Sequence, residues 1–272
     1  MQPQKVINSQ PYTVASYFSR LRQYGYLIAV LTRRELKVKY TRTLLGVGWL
    51  FIQPIAVVVI YSIFFKYIVH ISSDNIPYPA FVFSGLVLWY LFTGIVGRSS
   101  HALTESADLI SKVSFPRLLV IIAKIVPTVI ECVVFLFLLF VVNLITGPTP
   151  GFHSVEALFY FLSVMVFSIA AGLLCSILVL KYRDLGHLIP FVINFLIWLT
   201  PVFYPASILP EKLRHLSYLN PLALPLEGLR RAVFFNQGAG VPELLMFLIS
   251  LLLLLISFFY FIKFEKKLAE TL

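Results

Sequence analysis

Long apolar runs, separated by short polar stretches, set the pattern of this sequence. A bilayer core of about 30 Å takes about 20 apolar residues as a helix. Six segments reach or approach that length, at about Gly46–Val69, Ala80–Gly97, Leu118–Thr146, Val155–Leu180, Leu188–Tyr204 and Pro242–Ile262. The first contains Pro54 and Lys66. The fifth is short and carries Pro190, Asn194 and Pro201. Ahead of them, Val14, Phe18, Leu21, Tyr24, Ile28 and Leu31 recur at helical spacing, with Arg20, Arg22 and Gln23 between them. That spacing predicts an amphipathic helix, either lying on the inner leaflet or buried as a short helix. The expected fold is all-α and polytopic. Residues 1–45 form a cytoplasmic N-terminal segment, 46–262 a six-helix membrane domain, and 263–272 a cytoplasmic tail.

Composition agrees with that pattern. Of 272 residues, 59% are hydrophobic and 12% charged, against about 45–50% and about 25% in soluble domains. So little charge cannot cover a water-soluble globule, and disorder needs the opposite balance. Cys132 and Cys175 lie in apolar runs, without a disulfide framework or metal-ligand spacing.

The formal charge of +10 would suggest nucleic acid in a soluble protein. Its placement gives another reading. One side collects Lys5, Arg20, Arg22, Arg33, Arg34, Lys37, Lys39 and Arg42 before the first span. It also collects Arg98, Lys112 and Arg117 after the second, Lys181 and Arg183 after the fourth, and Lys263, Lys266 and Lys267 after the sixth. The other side holds Lys212, Arg214, Arg230 and Arg231, while Lys66 and Lys124 lie inside spans. Sixteen of 22 basic residues on one side place both termini in the cytoplasm. No nucleic-acid partner is expected. A cleavable signal peptide is not expected either, because Arg20 and Arg22 precede the apolar run Tyr24–Leu31 and Thr32-Arg33-Arg34-Glu35 follows it.

The sequence has no G-x-x-x-x-G-K-[ST] phosphate loop, and its five histidines are scattered. No catalytic or metal-ligating residues are expected. Lys124, Glu131 and Asn194 are intramembrane polar residues, a costly class that is usually functional. Lys124 and Glu131 share a helix face about 10 Å apart along the axis, so direct pairing is not expected. Lys124 can snorkel. Glu131 faces either a polar contact with another helix or a channel.

Two segments between spans stand out. In the stretch at about 103–117, Thr104 fits an N-cap, Glu105 and Asp108 a first turn, and Lys112 a last turn. Pro116 stops helix at Phe115. This predicts a short cytoplasmic helix presenting Leu109, Ile110 and Phe115 for docking, in preference to a solvated connector. The segment at about 205–241 carries Pro205, Pro210, Pro221 and Pro225 between apolar residues at helical spacing. Two short helices at the outer leaflet, forming a pore mouth, fit it. Of the aromatics, Tyr61, Trp89, Tyr90, Phe92, Phe195 and Trp198 sit within spans, with Phe203 and Tyr204 at the end of the fifth. They either pack or stack against sugars.

The stretch Arg34-Glu-Leu-Lys-Val-Lys-Tyr-Thr-Arg-Thr-Leu-Leu-Gly-Val-Gly-Trp-Leu-Phe-Ile-Gln-Pro54 resembles the start of the first span in polysaccharide-exporting type-2 ABC permeases. These membrane subunits export O-antigen, teichoic acid and capsule polymers. Similar stretches follow in order: Pro77-Tyr-Pro-Ala-Phe-Val-Phe-Ser-Gly-Leu86, Leu109-Ile-Ser-Lys-Val-Ser-Phe-Pro116, Lys181-Tyr-Arg-Asp-Leu185, Thr200-Pro-Val-Phe-Tyr-Pro205 and Leu219-Asn-Pro-Leu222. The resemblance implies ATP-driven export of a lipid-linked polysaccharide across the bacterial inner membrane. It implies a homodimer bound to two copies of a separate ABC ATPase, which carries ATP and Mg; this chain binds no cofactor.

Residue roles follow from the same resemblance. Glu105, Asp108, Leu109, Lys112, Phe115, Pro116 and Arg117 would couple to the ATPase. Arg33, Arg34, Lys37, Lys39 and Arg42 would attract a lipid pyrophosphate, unless they only mark topology. Tyr61, Trp89, Tyr90, Phe92, Phe195, Trp198, Phe203 and Tyr204 would line a sugar path. Two other classes compete. A membrane-embedded transferase needs clustered acids or histidines at one face, and a channel or secondary transporter needs a polar filter.

Overall fold

The computed structural model describes residues 14–41, 43–146 and 154–270. Among them all regular elements are helices: α1 (Val14–Gln23), α2 (Gly25–Tyr40), α3 (Trp49–Ser62), α4 (Tyr78–Glu105), α5 (Ala107–Lys112), α6 (Leu118–Thr146), α7 (Ser154–Lys181), α8 (Leu185–Leu199), α9 (Glu211–Ser217), α10 (Ala223–Phe234) and α11 (Val241–Glu270). A 3₁₀ turn, Gly46–Gly48, leads into α3, and a π-helical stretch, Ile63–Ile68, continues it.

Among the described residues, five helical segments are long and apolar enough to cross a bilayer. The fifth predicted span is the one that falls short. α8 has 15 residues, about 22 Å at 1.5 Å per residue. It ends where Pro201 forces Thr200 out of the helical region, to φ −103° and ψ 132°. The amphipathic N-terminal pattern also resolves differently, as two helices. The chain turns at Tyr24 (φ −93°, ψ 12°) before Gly25. Leu21, Tyr24, Ile28 and Leu31 then pack on the core, while Phe18 stays exposed.

The core sits around α4. Every residue from Ala80 to Leu88 is buried, because α6 and α7 flank the helix and α10 packs on it as well. Small residues permit this approach: a Cβ on Gly172 of α7 would meet the Ser99 side chain of α4 at 2.8 Å. The run from α3 into its π extension behaves oppositely, exposing Ile52, Ile55, Val59, Ile60, Ile63 and Phe64. In lipid such a face is no liability, since hydrocarbon surrounds it.

Two predicted boundaries are corrected here. α4 continues past Gly97 to Glu105, so Thr104 is not an N-cap; its hydroxyl donates to the His101 carbonyl inside α4. Glu105 therefore closes α4 and does not open the next helix. At the other end of the chain, α11 runs on to Glu270, so the described part of the tail continues that helix.

Candidate functional site

Two of the three polar side chains predicted inside the membrane, Lys124 and Glu131, find partners along the first half of α6. Glu131 accepts hydrogen bonds from Lys39 Nζ at 2.6 Å and from the Tyr40 hydroxyl at 2.7 Å. Lys124, seven residues earlier, lies 2.6 Å from Glu105 and 3.2 Å from Glu35. Both α6 charges thus pair across helix boundaries, mainly with α2. This gives Glu131 the polar interhelical contact that was one of its two readings. The Glu131 side chain is 14% exposed and Lys39 37%, so one end of the pair stays wet. Burial, and then the bond to Glu131, push the Tyr40 hydroxyl above its usual pKa.

A cavity of about 170 Å³ adjoins this pair. Lys39, Gln53, Tyr90, Arg98, Thr128 and Glu131 are among its walls. It brings together Lys39 of the basic cluster, Tyr90 of the aromatic set and Glu131 of the intramembrane set, which the sequence left unconnected. Arg33, Arg34 and Lys37 are exposed on α2, and Arg42 lies outside the described residues. Asn194 is exposed on α8, away from this group.

The segment after α4 is built differently from its sequence reading. Asp108 and Lys112 of α5 are exposed, and Leu109 and Ile110 are half-buried. Phe115, Pro116 and Arg117 are buried. The docking face expected at Phe115 is therefore turned into the chain's own core. Glu265, from the end of α11, fixes this junction. One of its oxygens accepts the Arg117 backbone N–H at 2.7 Å, at the start of α6, where a carboxylate suits the helix dipole. The other accepts the Tyr17 hydroxyl of α1 at 2.6 Å. Burial, with the Glu265 charge adding to it, raises the pKa of Tyr17. No short motif announces this node, because its members lie 148 and 248 positions apart.

The aromatics divide into two groups. Trp89 and Phe92 are buried and pack on each other, 5.8 Å between centroids. Phe203 is buried too, at the centre of a ring cluster. Tyr61 stacks on it at 4.1 Å, with Phe65 at 5.4 Å and Trp198 at 6.0 Å. Tyr204 donates to the Trp198 carbonyl. Phe195 and Trp198 remain more than half exposed on α8, and Tyr90 is half-buried against Phe135.

Two short helices do form between Pro205 and Val241, and α10 is the buried one. Leu226, Leu229, Ala232 and Val233 of α10 are sealed, whereas Leu213, Leu216 and Leu219 around α9 are exposed. Arg230 holds α10 in place. Its guanidinium donates to the carbonyls of Pro201 at 2.7 Å and Val202 at 2.8 Å, and more weakly to Phe81 at 3.4 Å. It also lies over the Phe81 ring, 3.5 Å from the centroid. The break after α8 frees the carbonyls of Pro201 and Val202, and Arg230 satisfies them. Counted by side alone, Arg230 looked like an ordinary loop charge. Arg214 plays the same part for α9, reaching the carbonyls of Ala206 and Ser207. Between these helices lies a second cavity of about 220 Å³, with Asp74, Arg214, Tyr218, Glu227 and Arg231 among its walls.

Among the described residues no group of three His, Cys, Asp or Glu stands close enough to hold a metal. What this architecture offers is a bundle with ion pairs between α2 and α6 and a broken, arginine-stapled segment after α8. The chain belongs to the ABC-2 type transporter family, whose model matches residues 26–234. It is a polytopic permease of that class. Among its relatives, the O-antigen export system permease protein RfbA of Myxococcus xanthus is 30% identical over 87% of this chain and 90% of its own length. The polysialic acid transport protein KpsM of Escherichia coli is 24% identical, over 81% and 87%. The capsule polysaccharide export inner-membrane protein CtrC of Neisseria meningitidis is 22% identical, over 88% and 91%.

Proposed function

We propose that this chain is the membrane subunit of an exporter that carries a lipid-linked polysaccharide across the bacterial inner membrane. ATP, with Mg, is hydrolysed on two copies of a separate ATPase subunit, and the permease works as a homodimer with its termini in the cytoplasm. The carrying observation is that relatives spanning most of the chain are named for O-antigen, polysialic acid and capsule export. Two features of the molecule support the reading. The exposed apolar face from α3 through its π extension suits contact with lipid and with a second copy. The exposed Asp108 and Lys112 on α5 suit docking on an ATPase from the side where basic residues concentrate.

In this reading α5 is the lever. ATP drives transport only if the ATPase holds the permease differently in its two states. The junction Glu265–Arg117–Tyr17 passes displacement of the α5–α6 turn to α1 and α11 together. Leu109, Phe115, Pro116 and Arg117 act from beneath, by holding α5 on the bundle. The exposed aromatics Phe195 and Trp198 are the rings best placed to meet a passing sugar. Trp89, Phe92 and Phe203 shape the wall behind them. The test is transport by proteoliposomes containing the chain and its ATPase, loaded with the lipid-linked glycan and energised with ATP.

A further inference from the structure

Arg98 is the one basic residue of the inner cavity whose charge is not yet accounted for. By sequence it counts toward the loop after the second span. In the structure it lies within α4, seven residues before the last, about 10 Å inside the helix end. It is half-buried and lines the cavity. Among the described residues it makes no hydrogen bond and no ion pair. A charged side chain at that depth normally pairs with another group or marks a substrate path. The neighbouring groups are already committed, since Lys39 and Tyr40 both bond Glu131. Two cations against one carboxylate leave the cavity with a surplus of one positive charge.

The remaining walls suit an oxyanion. A guanidinium matches phosphate oxygens in a bidentate fork. Thr93, Gln53 and Thr128 add hydroxyl and amide groups, and the Thr128 hydroxyl is buried without a hydrogen-bond partner. The volume of about 170 Å³ is below the roughly 300–1,000 Å³ of drug-sized sites. It takes a headgroup, not a glycan chain. The rim favours a lipid over a free ion. Gln53 is exposed there, and Phe51, Ile52 and Ile55 beside it on α3 give a hydrocarbon tail an apolar surface.

We infer that Arg98 binds the diphosphate head of the carrier lipid in the cavity between α2, α3, α4 and α6. This rests on the export reading above and names the site that reading lacks. The test uses the purified complex of this chain with its ATPase and a radiolabelled polyprenyl diphosphate, without ATP. Arg98→Gln should weaken binding about tenfold, the loss expected for a charge-assisted hydrogen bond. Its melting temperature should not fall, because no internal partner is lost. Arg98→Lys should bind between the two. Thr128→Val, which keeps the shape and removes the hydroxyl, should weaken binding by a smaller factor at unchanged stability.

Binding by Arg98→Gln equal to that of the parent overturns the assignment, and so does a fall in its melting temperature. Displacement of the label by phosphatidylglycerol or by inorganic phosphate as effectively as by unlabelled polyprenyl diphosphate also overturns it, since the site would then take any phosphate. Because binding is read without transport, a complex that binds the lipid normally and exports nothing refutes the export reading alone.

Discussion

The two ends of the bundle manage buried charge in opposite ways. Where α2 ends, Lys39 and Glu131 meet as an ion pair between α2 and α6, with Lys39 still partly wet. Beyond the break after α8, Arg230 is sealed and, among the described residues, bonds no carboxylate; its bonds go to Ser84 and to the carbonyls of Phe81, Pro201 and Val202. Burial lowers the pKa of Arg230 from the usual arginine value, and Glu227 opposes that shift. The ion pair can part and re-form, because water can rehydrate the lysine. The arginine cannot leave without stranding backbone carbonyls in an apolar layer. The Lys39–Glu131 contact is therefore a joint between helices, and the Arg230 contact a rivet.

Removing the rivet should have the largest effect. Arg230→Met keeps most of the volume but leaves the freed carbonyls unpaired. It should cost about 3 kcal/mol or more, read as lost melting temperature and lower membrane abundance. Gly228, on the same helix, tests the packing that surrounds the rivet. A Cβ there overlaps the buried ring of Tyr160. Gly228→Ala should cost about 1–3 kcal/mol by overpacking, and Tyr160→Leu in the same chain should recover part of that. An unrecovered loss would remove the packing explanation.

Breaking the joint should matter less. Glu131→Gln leaves Lys39 without its carboxylate, but the lysine can turn to water. A cost of about 1–2 kcal/mol is expected, well below that of a sealed pair. Lys39→Met with Glu131→Leu should recover it, as measured by a double-mutant cycle on purified protein. A Glu131→Gln loss as large as that of Arg230→Met would erase the contrast between the two ends. The smallest stability change belongs to Asp108→Lys, on the exposed face of α5, at under about 0.5 kcal/mol. Its effect should fall on coupling: ATP hydrolysis continues while export drops. Phe115→Ala is a poorer probe of docking, because Phe115 is buried in this chain and its loss unsettles the core first.

Hydropathy located the long helices well. α6 and α7 begin and end within a residue or so of their apolar runs, since lipid rewards length and composition directly. It placed the C-terminal end of α4 poorly. The run stops at the first charge, Arg98, yet the helix continues because that charge faces a cavity and not lipid. The break at Tyr24 was hidden by an apolar spacing that both short helices share. The proline-rich outer segment was legible as two short helices. Which one would be buried was less so, because both stretches carry leucines at helical spacing, Leu209 to Leu219 and Leu222 to Leu229, and it is α10 that packs on α4 and α7. The site residues were legible as types and not as partners. Lys39 and Glu131 lie 92 positions apart, and neither charge placement nor periodicity reports which helix faces meet.

The central claim is that this chain moves a lipid-linked polysaccharide only when an ATPase drives it. Proteoliposomes holding the chain, its ATPase and a labelled lipid-linked glycan measure this directly, by accessibility of the label on the far side. The account predicts transfer that requires both proteins and hydrolysable ATP, and that Asp108→Lys lowers at undiminished ATP turnover. Transfer by this chain alone, or none with the complete set, would contradict it.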